Sequence, residues 1–308
     1  MTEATTLQPD PNLIGFVGLG NMGWPMAAKI VAAGYRLMVF DTRQEVAEQF
    51  AAEQGCLVAQ SPADLRDVSI LTLMLPNGKI VESFLMEAGA SGKRVADRLG
   101  DGAIVVDMSS SRPMGTRELG KALAALGVSL VDAPVSGGVP RAKTGTLSVM
   151  TGGDAATVDR LRPLLGVMAS TVTHCGDLGA GHAMKALNNY VSAAGLVAAC
   201  EALRIAQEFG IDGQKAIDVL NASTGRNNTT EHKLAQQVLN NAFKTGFTLG
   251  LMRKDVDAAV ELAGDVGVEL LLGKNVLSVW EEGERTLGPG ADHTAIAQLV
   301  HARTPHPV

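Results

Sequence analysis

The stretch Leu13-Ile14-Gly15-Phe16-Val17-Gly18-Leu19-Gly20-Asn21-Met22-Gly23 decides the fold. A short apolar run ends in three glycines spaced GxGxxG, and a helix-like segment over 22–33, closed by Gly34, follows. A second apolar run over 36–40 ends at Asp41, which falls 18 residues after Gly23. Strand, glycine turn, helix, strand and acidic residue, in that order, are what a dinucleotide-binding unit requires. Gly18 permits the tight turn, Gly20 lets the backbone approach a pyrophosphate, and Gly23 lets helix and strand pack closely. The phosphates then rest on N–H groups at the positive end of the helix, which makes Gly18, Leu19, Gly20, Asn21, Met22 and Gly23 candidate cofactor residues. A carboxylate at Asp41 accepts hydrogen bonds from ribose hydroxyls and repels a 2′-phosphate, so NAD is favoured. Arg43 keeps NADP open, because a guanidinium holds phosphate well.

Outward from this unit, strand-like and helix-like segments continue to alternate. A helix over 44–54 is closed by Gly55, and fully apolar runs at 70–75 and 103–106 read as strands buried on both faces of a parallel sheet. A helix over 117–126 and a strand over 128–131 complete the pattern of a doubly wound, Rossmann-type α/β domain. The character changes at 176–181. An Ala-rich helical pattern runs from 183 to 209, unusually long for a globular protein, and further helices follow at 214–221, 231–239, 249–266, 272–282 and 294–301. The expected organisation is a dinucleotide-binding domain over 12–177 and an all-α domain over 178–302 entered through the long helix.

Composition narrows the function. The 308 residues are 46% apolar and 19% charged, so packed cores rather than disorder are expected. A formal net charge of −6, without Lys or Arg runs, argues against non-specific nucleic-acid binding. The uncharged stretch 186–200 includes Asn188 and Asn189 and is shorter than the roughly 20 apolar residues a membrane helix needs. Cys56, Cys175 and Cys200 form no CxxC, and an odd number points to reduced thiols and a cytoplasmic location. Residues 1–12 show neither a basic segment nor an apolar core of a signal, and read, like 302–308, as a loose arm. The six histidines lack metal-ligand spacing, so no metal is expected.

Two further clusters carry chemistry. Asp132-Ala133-Pro134-Val135-Ser136-Gly137-Gly138 follows an apolar strand and precedes Gly145-Thr146-Leu147. A hydroxyl beside two glycines receives a carboxylate or phosphate, although a plain Pro/Gly turn has the same composition. In Gly179-Ala180-Gly181-His182-Ala183-Met184-Lys185-Ala186-Leu187-Asn188-Asn189, Lys185 and Asn189 share one helix face. A lysine among Met184, Ala186 and Leu187 suits proton transfer; a lysine snorkelling at a domain boundary is the alternative.

These clusters, in this order over about residues 13–301, resemble the β-hydroxyacid dehydrogenase family, which includes 3-hydroxyisobutyrate dehydrogenase, tartronate semialdehyde reductase and L-threonate dehydrogenase. Gly18 to Gly23 with Met26 is similar to its cofactor loop, Asp132 to Gly138 to its substrate signature, and Gly179, Gly181, Lys185 and Asn189 to its GxGxxxKxxxN signature. Lys254-Asp255, after Phe247, is similar to its late KD element. The resemblance implies hydride transfer between NAD, or NADP, and a small 3-hydroxy acid, with a helical domain of the 6-phosphogluconate dehydrogenase type. It implies Lys185 as general acid/base, Asn189 holding the substrate, and Ser136, Gly137 and Gly138 receiving its carboxylate. It further implies Lys254 enclosing nicotinamide and substrate, Met74-Leu75-Pro76 beside the cofactor, and Ser109-Ser110 near the nicotinamide ribose. A homodimer or homotetramer is expected. Alternatives are an NADP-dependent reductase of a semialdehyde or an imine, and a non-catalytic NAD-binding module; Lys185 argues against the imine reductase, and intact Lys185 and Asn189 argue against the binding module. Pro140-Arg141 departs from the smaller residues of many members, and Trp24 is bulky for its place beside the phosphate site.

Overall fold

The computed structural model describes residues 13–89 and 92–302. The loose arm expected over 1–12 and the tail beyond 302 lie outside the described residues. The chain divides into two compact units, the first ending at Lys185 and the second beginning at Ala186.

The first unit runs β1 (Leu13–Val17), α1 (Gly23–Ala32), β2 (Arg36–Phe40), α2 (Gln44–Gln54), β3 (Leu57–Val58), β4 (Ile70–Leu73), α3 (Gly78–Met86), β5 (Ile104–Asp107), α4 (Pro113–Ala124), β6 (Ser129–Asp132), β7 (Val135–Ser136), α5 (Gly138–Thr144), β8 (Leu147–Gly152), α6 (Ala155–Gly166) and β9 (Ala169–Gly176). Six strands pair in parallel in the order β3-β2-β1-β4-β5-β6. That order reverses direction beside β1, and in such sheets ligands bind beyond the carboxyl ends of the strands at the reversal. β1 and β5 are buried along their whole length because helices cover both faces, which is why they read as unbroken apolar runs. Beyond β6 the sheet continues through β8, which pairs antiparallel with β6 and β7 and parallel with β9.

Several boundaries differ from the sequence expectation. The helix expected from 117 begins a turn earlier, at Pro113, whose fixed φ suits the first helical position. Strands β7, β8 and β9 and helix α6 were not expected. β9 carries polar, partly exposed residues, and α6, although Val158, Leu161, Leu164 and Leu165 give it a buried face, holds Pro163, which reads in sequence as a helix breaker. Trp24 is accounted for by packing: its ring meets Phe50 edge-on at 5.0 Å, tying α1 to α2.

The second unit is helical among its described residues. It comprises most of α7 (Ala180–Glu208), then α8 (Gly213–Ala222), α9 (Asn228–His232), α10 (Leu249–Asp265), α11 (Gly273–Leu287) and α12 (Ile296–Ala302). Its core gathers Leu196, Cys200 and Leu203 of α7 with Leu249, Val256, Trp280 and Ile296. Each such side chain contributes roughly 1.5–3 kcal/mol by leaving water. The helix expected over 231–239 is interrupted: α9 stops at His232, Lys233 leaves the helical backbone at φ −122°, and a π-helical turn covers Leu234–Leu239. Among the described residues no helix is long and apolar enough to cross a membrane.

Candidate active site

The glycine loop is built by close approach. A Cβ on Gly23 would lie 1.8 Å from the Gly18 carbonyl oxygen, and one on Gly18, at φ +95°, would lie 2.3 Å from the Met74 carbonyl. Both positions are closed to any side chain. Gly20 differs: nothing lies within 4 Å of where its Cβ would stand. The loop therefore keeps an open cradle at the one glycine whose part is to admit a ligand. Beyond it, α1 begins with no side-chain cap and no acidic residue in its first turn, so an anion at its positive end meets no competing carboxylate there. The residues present fit a dinucleotide pyrophosphate.

Asp41, 7% exposed at the end of β2, fixes this loop. Its Oδ2 accepts from the Leu19 N–H at 2.7 Å, and its Oδ1 accepts from the Arg43 N–H at 2.9 Å and the Arg43 Nε at 3.4 Å. The Arg43 side chain remains 58% exposed. Ser109, after β5, is 1% exposed, and its Oγ accepts from the Leu75 N–H at 3.0 Å. Two loops expected beside the cofactor are thus bonded to each other.

The start of α7 is organised by a carboxylate that spacing alone did not single out. Asp132, fully buried at the end of β6, accepts from the Gly179 N–H and the His182 N–H, each at 2.7 Å. The glycines of the signature follow from this cap. A Cβ on Gly181 would lie 2.4 Å from the Met150 carbonyl and 2.8 Å from Asp132 Oδ2, and one on Gly152 would lie 2.5 Å from Asp132 Oδ1. His182 is 1% exposed. Its Nε2 donates to the Ser109 carbonyl at 3.1 Å, an oxygen that can only accept, and its Nδ1 is 2.8 Å from Thr116 Oγ1. Lys185 follows within one helical turn and is half-buried. The rotation of the lysine-bearing helix is therefore set by a strand-end carboxylate and a buried histidine.

Ser136 ends β7, and the next two residues adopt φ +128° and +65°, a region that favours glycine. Gly138 is the first residue of α5 rather than part of an open loop. The Arg141 stem lies over Gly137, 2.5 Å from where a Cβ would stand, while the residue as a whole is exposed.

In the second unit, Asn189 on α7 is 7% exposed and donates through Nδ2 to Asp255 Oδ2 on α10 at 2.6 Å. Its Oδ1 accepts from Asn188 Nδ2 at 3.0 Å. Asp255 is 3% exposed, and Lys254 Nζ stands 3.6 Å from its Oδ1. The KD pair thus meets Asn189 through its aspartate. Among the described residues no group of His, Cys, Asp and Glu is arranged to hold a metal ion.

Comparison with known proteins agrees with this architecture. Residues 13–176 match the family model for the NAD-binding domain of 6-phosphogluconate dehydrogenase, and residues 179–300 match that for the NAD-binding region of NADP-dependent 3-hydroxyisobutyrate dehydrogenase. The chain is 33% identical to the 2-(hydroxymethyl)glutarate dehydrogenase of Eubacterium barkeri over 281 residues, 91% of each protein. A Mycobacterium tuberculosis 3-hydroxyisobutyrate dehydrogenase, solved with L-serine, superposes with a TM-score of 0.85 at 32% identity, covering 96% of this chain and 100% of that one. Psf3, solved with NADP+ and 2-OPP, gives a TM-score of 0.81 at 26% identity over 93% and 99%. With both units matched and the glycine cradle and lysine helix in place, the chain belongs to the β-hydroxyacid dehydrogenase family of NAD(P)-dependent oxidoreductases.

Proposed function

We propose that the protein oxidises a small 3-hydroxy acid of the 3-hydroxyisobutyrate type, or reduces the matching semialdehyde, with Lys185 as general acid/base. The observation that carries this reading is the Asp132 cap, which fixes the start of α7 and with it the face shared by Lys185 and Asn189. When bound, the nicotinamide supplies the hydride acceptor. The chain supplies the rest. Gly20 and the uncapped start of α1 hold the pyrophosphate, and Asp41 holds the adenosine ribose, which favours NAD over NADP. Leu75, Pro76 and Ser109 line the cofactor. Ser136, Gly137 and Gly138 receive the substrate carboxylate. Lys185 takes the hydroxyl proton during oxidation and returns it during reduction, and its ammonium form offsets alkoxide charge. Asn189, steadied by Asp255, orients the hydroxyl, and Lys254 helps enclose the reacting groups.

Following NADH and NADPH absorbance with a panel of 3-hydroxy acids tests the reading. Lys185→Ala is expected to lower kcat by about 10²–10⁴-fold, the usual worth of a general acid/base, with NAD affinity retained. Undiminished turnover removes the lysine from the chemistry. The exposed apolar side chains Leu187, Val191, Ile205 and Phe209 support assembly as a homo-oligomer. Three unpaired thiols support a cytoplasmic setting.

A further inference from the structure

Lys233 stands where the helix expected over 231–239 breaks. Its backbone leaves the helical region at φ −122°, and the π-helical turn Leu234–Leu239 follows. π-Helical turns are rare and concentrate at functional sites, because the extra residue re-aims a side chain. Here the lysine side chain turns inward, and burial, ahead of the charges of Asp292 and Cys200, holds its pKa below the ordinary lysine range. An ammonium has three donors. Among the described residues that of Lys233 makes one hydrogen bond, to Ser192 Oγ at 3.3 Å, and no ion pair. The carboxylate within electrostatic reach, Asp292, is already engaged. It accepts from the Thr245 N–H and hydroxyl, the Gly246 N–H, and the Thr294 N–H and hydroxyl. A half-buried lysine with donors to spare, whose nearby carboxylate Asp292 is hydrogen-bonded to other groups, is placed to receive a further anion.

Its place on the helix says which anion. Ser192 lies three residues beyond Asn189 on α7, one turn along the same face and about 4.5 Å along the axis. Asn227, which opens α9, lies 3.8 Å from where a Cβ on Gly195 would stand, so the segment from 227 to 233 runs along this part of α7.

We propose that Lys233 and Ser192 form a second anion subsite that receives the far carboxylate of a dicarboxylic hydroxy acid whose hydroxyl end is held at Asn189. The proposal rests on the dehydrogenase reading above and narrows its substrate class. A point-charge ammonium beside a hydroxyl donor suits a carboxylate, and both groups lie at a distance along α7 that a chain of a few carbons spans.

The test compares kcat/KM for 2-(hydroxymethyl)glutarate, with two carboxylates, and 3-hydroxyisobutyrate, with one. The ratio is expected to favour the dicarboxylic acid in the parent and to fall at least about tenfold in Lys233→Met, through KM, as loss of a charge-assisted hydrogen bond requires. Lys233→Arg should restore most of it, and Ser192→Ala should lower it less. A lysine that only supports the fold would depress both substrates alike, and an unmoved ratio overturns the proposal. A binding readout keeps this separate from turnover. By calorimetry, glutarate should bind the NAD-loaded parent more tightly than butyrate and lose that advantage in Lys233→Met. Equal binding of the two acids by the parent overturns the subsite. Turnover of neither hydroxy acid, with glutarate still preferred, overturns the dehydrogenase reading and leaves the subsite standing.

Discussion

Asn189 Nδ2 donates to Asp255 Oδ2 across 2.6 Å, and both side chains are almost wholly buried. The bond dictates which end of the Asn189 amide carries its donors, because a carboxylate oxygen only accepts. The aspartate is thus the part that gives Asn189 one orientation. Asp255→Ala should lower kcat/KM by roughly the 10–100-fold associated with losing an orienting partner, with NAD affinity retained. Asp255→Asn, which still offers an acceptor oxygen, should lose less. Equal loss in both variants, or loss of NAD binding, would show the bond to be merely structural.

Gly20 and Gly23 separate cofactor binding from folding. The Cβ of Gly20→Ala meets nothing in the protein, so thermal unfolding of the unliganded variant should match the parent. NAD affinity should still fall at least about tenfold, because the cradle is the ligand's space. Gly23→Ala puts a carbon 1.8 Å from a backbone oxygen and should lower the melting temperature before any ligand is added. Fluorescence titration with NADH beside a melting curve reads both effects.

His182 bonds to Thr116 and to the Ser109 carbonyl while fully buried. His182→Phe leaves those groups unsatisfied and should cost about 1–3 kcal/mol in urea unfolding. His182→Gln, able to bond to one of them, should cost less.

His293 supplies a pH signature. Burial, then the charge of Lys233, lowers its pKa from 6.5 to about 4. Between those values the unfolded chain carries a proton that the folded chain does not, so stability rises with pH across this window. Acidification from pH 6.5 to 4 should remove roughly 3 kcal/mol, at about 1.4 kcal/mol per unit, and the effect should level off below. His293→Asn should flatten the slope. Urea midpoints at stepped pH measure it, and a parent profile that is flat in this range contradicts the assignment.

The sequence made some of this plain and hid the rest for physical reasons. β2 and α2 lie where the apolar runs and the closing Gly55 put them, and the loop between β1 and α1 follows from its three glycines. β9 escaped because its residues are partly exposed and polar, and α6 because Pro163 reads as a breaker although the helix runs through it. Asp132 and Asp255 act on partners 47 to 66 residues away, which no local spacing reveals. The glycines of the lysine signature, by contrast, were legible as a motif, while their cause, close backbone and carboxylate contacts, needed the third dimension.

Asp132 has one more consequence. α7 is 29 residues long, and the partial positive charge at its beginning is already neutralised from below by that carboxylate. An acid arriving near Lys185 therefore meets no standing pull from the peptide units of that helix. Whatever draws an acid to that place must come from side chains, so the charge it meets is set residue by residue and not by the backbone of α7.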